Sequence, residues 1–302
     1  TDAIDGAIKL ARLYTGRNTF ISTLGGFHGK SMGSLSLMGK ASFRLPFEGG
    51  LQDVRFVPYG DADALDQQMC ILEAVGQLPA AIVVEPVQGE AGGVVPPDDY
   101  LPRVREICTR HGALFIADEI QTGMGRTGKL WGVDHSGVTP DIMCLGKSIG
   151  GGVMPLSAFI STPKIWEVMI PNPIIHSTTF GGNPIACVAG IAAIEVTLEE
   201  DLPGQAARKG DYLLRELRAL MQKYPAILTD VHGKGLLIGM EFPTDAIGFQ
   251  CAAGLFKRGV LVAGTYSKAR TIRIEPALAI PDALLKEMLN RLEDTFKEIA
   301  RG

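Results

Sequence analysis

Asp118 and Lys147 are the residues whose types and spacing best support chemistry in this chain. Asp118 closes the apolar run 113–117 and opens the segment Asp118-Glu119-Ile120-Gln121-Thr122-Gly123. Lys147 follows the next apolar run, 142–145, and leads into Ser148-Ile149-Gly150-Gly151-Gly152. The two lie 147 − 118 = 29 residues apart, about one strand–helix–strand repeat. Ligands of α/β sheets bind at strand ends. An acid and an amine placed there suit pyridoxal phosphate, which uses a lysine for its aldehyde and a carboxylate for its ring nitrogen.

Each residue also has a plainer reading. An Asp after a buried strand is often the N-cap of the next helix, and a lone lysine is usually a solvated charge. Gly146-Lys147-Ser148 resembles the tail of a phosphate-binding P-loop, but the glycine that motif needs five positions earlier is Asp141. The nucleotide reading is therefore set aside.

Other segments supply what such a cofactor would need. Gln121 lies just past Asp118 and could meet a ring hydroxyl; otherwise it is a polar loop residue. Phe27-His28-Gly29 follows a strand and the pair Gly25-Gly26, so Phe27 could stack on a ring, although a loop Phe more often just packs. Ser177-Thr178-Thr179-Phe180-Gly181-Gly182 precedes a helix and forms either an anion site or an elaborate cap. Glu85 and Glu90 follow a strand and need partners. Arg273, between Ile272 and Ile274, is a salt-bridge residue by default and a candidate carboxylate clamp.

The elements that must position these residues alternate. Helices are expected over 2–14, 61–76, 99–111 and 184–199, and strands over 19–23, 80–85, 113–117, 141–145 and 156–161. Short, continuously apolar strands imply an α/β fold, a mostly parallel central sheet with helices on both faces. From about residue 203 the pattern changes: helix 205–223, strand region 235–242, helix 246–258, strands 260–263 and 271–275, helix 281–299. This predicts a large domain over 1–202 and a small C-terminal α+β domain over 203–302.

Bulk properties narrow the function classes. The 302 residues are long enough for a sizeable core, and a net charge of −4 attracts neither nucleic acid nor acidic membrane. No apolar run approaches the roughly 18 residues of a membrane span, and no signal peptide opens the chain. Five scattered cysteines without a CxxC read as reduced thiols of a cytoplasmic protein, with no metal site expected. The chain opens at Thr1 inside a helical pattern, and is expected to lack its natural N-terminal part.

Taken together, TDAIDGAIKLAR, GGFHGKSMGSLS, EPVQGEAGGVVPP, IADEIQTGMGRTG, CLGKSIGGGVMP, HSTTFGGNP and TIRIEPALAI resemble the class III (ornithine–GABA type) aminotransferases over essentially the whole chain. ASFRLPF, HSTTFGGNP and VLVAGTYSKARTIRIEPALAI are most similar to the putrescine (diamine) subgroup. The resemblance implies the fold type I of pyridoxal-phosphate-dependent transferases. It implies Lys147 as the Schiff-base lysine, Asp118 on the pyridine nitrogen, Gln121 on the ring oxygen, and Phe27 stacked on the ring with His28 beside it. Thr179 would reach the phosphate of the other subunit's cofactor, making a homodimer with shared active sites; further pairing into tetramers is left open. Arg273 would bind the carboxylate of the keto acid, 2-oxoglutarate, with Glu90 as its gate. Thr1-Asp2 match only the last two positions of the family's Ser-Gly-Thr-Glu phosphate cup, and Ala277 replaces a proline. The rival expectations are an acetylornithine or ornithine donor, or a non-catalytic binding module on the same fold.

Overall fold

Residues apolar on both sides of a strand can be satisfied only by cover on both faces, and the sheet that carries Asp118 is built from such runs. The computed structural model describes every residue except Leu51, Ser267 and Gly302. Its larger sheet has six strands in the order β2-β1-β3-β4-β5-β6. They are β1 (Phe20–Thr23), β2 (Val54–Val57), β3 (Ala81–Val84), β4 (Leu114–Asp118), β5 (Ile142–Leu145) and β6 (Ala158–Ser161). All neighbours pair in parallel except β6, which runs antiparallel to β5.

The two-residue period of a strand divides the core. Ala81, Val83, Leu114 and Ile116 pack with the Asp2–Thr15 helix through its Ala3, Ile4, Ala7, Ile8, Leu10 and Ala11. Ile82, Val84, Phe115 and Ala117 face the other way, against the Ala62–Ala74 and Tyr100–His111 helices. The Asp2–Thr15 helix stops at Gly16, whose φ of 68° is a left-handed conformation that glycine adopts without strain.

The chain divides into two compact units. The first comprises Thr1–Pro86, Pro96–Met124 and Trp131–Val196; the second comprises Val87–Val95, Gly125–Leu130 and Thr197–Gly302. The second unit holds an antiparallel sheet of order β7-β8-β10-β9: β7 (Asp230–Lys234), β8 (Leu237–Glu241), β9 (Ala263–Gly264) and β10 (Thr271–Ile274). Its core gathers Leu213 and Leu217, Ile238 and Met240, Leu255, and Leu292 and Phe296 from three helices and the sheet.

Several elements differ from the sequence expectation. β2 and β7 are not among the expected strands: β2 is four residues long and its apolar run is broken by Arg55, β7 carries a single aliphatic residue, Val231, and both lie at sheet edges, where one side needs no strand partner and burial is partial. β9 falls at Ala263–Gly264 rather than 260–263, and the helix expected from 205 begins at Leu202. There Pro203 occupies the first turn, where its missing N–H costs nothing, and the Asp201 side chain accepts from the Gly204 amide at 3.1 Å. Among the described residues, no helix is long and apolar enough to cross a membrane.

Candidate active site

β4 and β5 are parallel neighbours with Asp118 opposite Cys144, so Asp118 and Lys147 leave the sheet at the same edge. Both line one cavity of about 450 Å³ in the first unit, together with Thr1, Phe27, His28 and Gln121. These six, and Glu85 with them, thus share one cavity.

Asp118 is buried at the base. One carboxylate oxygen accepts from the Ile120 amide at 3.0 Å, and the other lies 2.7 Å from His28 Nδ1. Burial disfavours the charged form of His28. The hydrogen bond and negative charge of Asp118, with the charge of Glu85, outweigh that and raise the His28 pKa above its ordinary value. The imidazole, 2.7 Å from the Asp118 carboxylate, holds that carboxylate in one orientation. His28 Nε2 is buried without a hydrogen-bond partner.

Lys147 is exposed to the cavity and has φ 48°, a left-handed conformation uncommon outside glycine. Strain of this kind costs on the order of 1–3 kcal/mol and persists where the surroundings enforce it. Here the extended Gly146 precedes Lys147, and the short helical turn Lys147–Gly150 ends at the left-handed Gly151. Lys147 Nζ donates to Gln121 Oε1 at 3.0 Å, so the amine is aimed by a neutral acceptor rather than neutralised by a carboxylate.

The Phe27 amide donates to Glu85 Oε1 at 2.9 Å, which fixes the turn that brings Phe27 and His28 over the β3 and β4 ends. Thr1 Oγ1 accepts from the amides of Lys30 and Ser31 at 2.9 and 3.4 Å and lies 2.8 Å from Ser34 Oγ. Asp5 accepts from the Ser34 amide at 2.7 Å, tying the start of the first helix to the same segment. The sequence reading did not single out Asp5, Ser31 or Ser34 for the site; the serines' position after Gly29 was the available signal.

Glu119 was also missed. It is buried beside Asp118 and accepts from the Gly132 and Val133 amides, both at 2.8 Å, and from the Thr122 hydroxyl. Burial outweighs these hydrogen bonds and pushes its pKa up to about 7. Its role is to close the turn after Asp118, so an acid adjacent to a strand-end acid was the legible clue.

Thr179 is exposed and is not among the residues lining the Lys147 cavity. Arg273 and Glu90 lie in the second unit and meet each other, with Arg273 NH1 donating to Glu90 Oε1 at 2.8 Å. Arg273 also donates to Gly264 O at 3.2 Å, while its Nε and Glu90 Oε2 are buried without partners.

The cavity fits pyridoxal phosphate on its donor set. It presents a primary amine, a buried carboxylate backed by the His28 imidazole, an aromatic ring, and a hydroxyl at a helix start. Comparisons with known proteins agree. Residues 1–296 match the family described as Aminotransferase class-III. An ornithine aminotransferase from Toxoplasma gondii superposes with a TM-score of 0.91 at 32% identity, covering 100% of this chain and 72% of that one. A pyridoxal-phosphate-bound amine transaminase from an uncultivated Pseudomonas species gives 0.88 at 34%, covering 98% and 74%. An acetylornithine aminotransferase from Elizabethkingia anophelis gives 0.83 at 32%, covering 98% and 72%.

Proposed function

Because the chain belongs to the class-III aminotransferases, and so is a transaminase that uses pyridoxal phosphate, we propose that it moves an amino group from a terminal diamine such as putrescine to 2-oxoglutarate in a ping-pong cycle. The observation that carries the site assignment is the shared cavity of Lys147 and Asp118 at adjacent strand ends. The diamine assignment rests on the segments ASFRLPF, HSTTFGGNP and VLVAGTYSKARTIRIEPALAI.

Bound pyridoxal phosphate supplies an aldehyde carbon and an electron-accepting ring. Lys147 Nζ would hold the cofactor through its aldehyde and, when free, would act as the base and acid that moves a proton at the donor carbon. Positioned proton transfer of this kind contributes roughly 10²–10⁴-fold. Asp118 would keep a proton on the ring nitrogen, with His28 orienting Asp118; Gln121 would meet the ring oxygen, Phe27 would cover the ring face, and Thr1 would border the phosphate. Arg273 binds the carboxylate of the keto acid. Glu90 pairs with Arg273 while an amine donor, which has no carboxylate to offer, is being processed. The 2.8 Å Arg273–Glu90 contact is the amine-phase arrangement in this reading.

The reading includes a homodimer in which Thr179 reaches the phosphate held by the partner. Exposed Ile174 and Phe180, and Ile185, Val188 and Ile191 on the Pro184–Glu199 helix, form apolar surface of the kind that oligomers cover. Five free thiols fit a reducing cytoplasmic setting.

The test adds putrescine, ornithine or N-acetylornithine to the cofactor-loaded protein without keto acid. Putrescine should abolish the visible absorbance of the lysine-linked cofactor, and 2-oxoglutarate should restore it. A faster response to N-acetylornithine or ornithine would move the donor assignment to that type. Silence toward all three would overturn the diamine assignment and point to another amine donor.

A further inference from the structure

The Ala62–Ala74 and Tyr100–His111 helices pack together on the face of the sheet away from the Asp2–Thr15 helix. Asp66 and Cys70 stand four residues apart on one helix face, and Glu73 follows one turn later. His111 closes the second helix, held at its end by the left-handed Gly112. A carboxylate oxygen of Asp66, the Cys70 sulfur and a His111 ring nitrogen all lie within 4.8 Å of one another.

His111 makes this cluster more than a chance meeting of polar groups. Its residue is only 8% exposed, and both ring nitrogens are buried without a hydrogen-bond partner. Buried polar atoms are normally paired, and exceptions call for an explanation such as an ion. Nδ1 faces Glu73 Oε2 at 3.3 Å and Nε2 faces Asp66 Oδ1 at 3.8 Å. A Glu73 carboxylate accepting Nδ1–H would leave the Nε2 lone pair directed toward Asp66. Metal-binding histidines are commonly oriented by a carboxylate in this way.

We propose that Asp66, Cys70 and His111, with Glu73 behind the imidazole, form a binding site for a zinc-class divalent cation that bridges the two helices. Sulfur, imidazole nitrogen and carboxylate oxygen are zinc's ligand types, whereas magnesium and calcium require oxygen alone. On ligation the Cys70 thiol loses its proton to solvent and its sulfur bonds to the metal. Arg110 competes for the site, donating to both Asp66 oxygens at 2.9 and 3.0 Å. A carboxylate has lone pairs for both partners, and Glu106, 3.6 Å from Arg110, offsets part of its charge.

Zinc titrated into the cofactor-loaded enzyme and followed by calorimetry should reveal one equivalent whose affinity falls about tenfold or more in Cys70→Ser and in His111→Gln. Cobalt added in place of zinc should give a thiolate-to-metal charge-transfer band in the difference spectrum, absent from Cys70→Ser. Because Cys70 is exposed, its serine variant leaves the core intact. Undiminished zinc affinity in Cys70→Ser, no zinc binding by the parent enzyme, or no charge-transfer band with cobalt would each overturn the site.

Discussion

At the scale of single residues, Lys147 combines an amine held by the neutral Gln121 oxygen with a left-handed backbone that an ordinary surface lysine has no reason to adopt. Lys147→Ala should lower turnover by about 10³-fold or more and remove the visible absorbance of the bound cofactor, read by single-turnover kinetics and spectroscopy. Asp118→Asn should keep the absorbance but slow proton transfer, since an amide does not hold the ring proton; an unslowed variant would sink the role given to Asp118. Glu119 makes a pH prediction. In the unfolded chain its carboxyl loses its proton near the ordinary value of 4.5, whereas the fold retains the proton up to about 7. Between those values the native state binds more protons, so this residue's contribution to stability falls as pH rises, with a slope approaching about 1.4 kcal/mol per pH unit. The raised pKa of His28 acts in the same direction at higher pH: its stabilisation is complete below 6.5 and is lost as pH climbs through the folded value. Denaturant titrations across pH 4.5–7 should show a flatter profile for Glu119→Gln; an unchanged slope would assign the pH dependence to other groups.

At the scale of elements, the site depends on how closely the first helix approaches the sheet. Gly6 lies inside the Asp2–Thr15 helix, where alanine would ordinarily be favoured by about 1 kcal/mol. A methyl group there would collide with the Phe159 ring of β6, which packs in the same core. Overpacking of this kind costs about 1–3 kcal/mol. Gly6→Ala should therefore be neutral to destabilising despite its better helix propensity, and should lower cofactor affinity by disturbing the Thr1 and Asp5 contacts to the 30–34 segment. A thermal melt with cofactor titration checks both effects, and a clear gain in melting temperature would show that Phe159 yields freely.

At the scale of the whole molecule, the Pro184–Glu199 helix is apolar on nearly every side yet largely exposed, with Val188 at 64% and Ile185 at 67%. A helix hydrophobic all round belongs inside something, which a second copy would supply. If the proposed homodimer forms through this helix, the parent should sediment as a dimer and Val188→Asp as a monomer that has lost most turnover with its far-UV spectrum intact; a monomeric parent would overturn the dimer, and a dimeric variant would place the interface elsewhere. The sequence by itself determined the parallel sheet, because uninterrupted apolar strands admit only two-sided cover, and it singled out Lys147 and Asp118 at strand ends, which the fold brings into one cavity. It did not reveal β2, too short and interrupted by Arg55, or β7, whose edge position relaxes the apolar pattern on which such reading depends. Nor did it reveal that His28 backs Asp118, that Glu119 closes the turn, or that Asp66, Cys70 and His111 converge. Each of those depends on side chains brought together from distant stretches of chain, and only tertiary packing decides such distances.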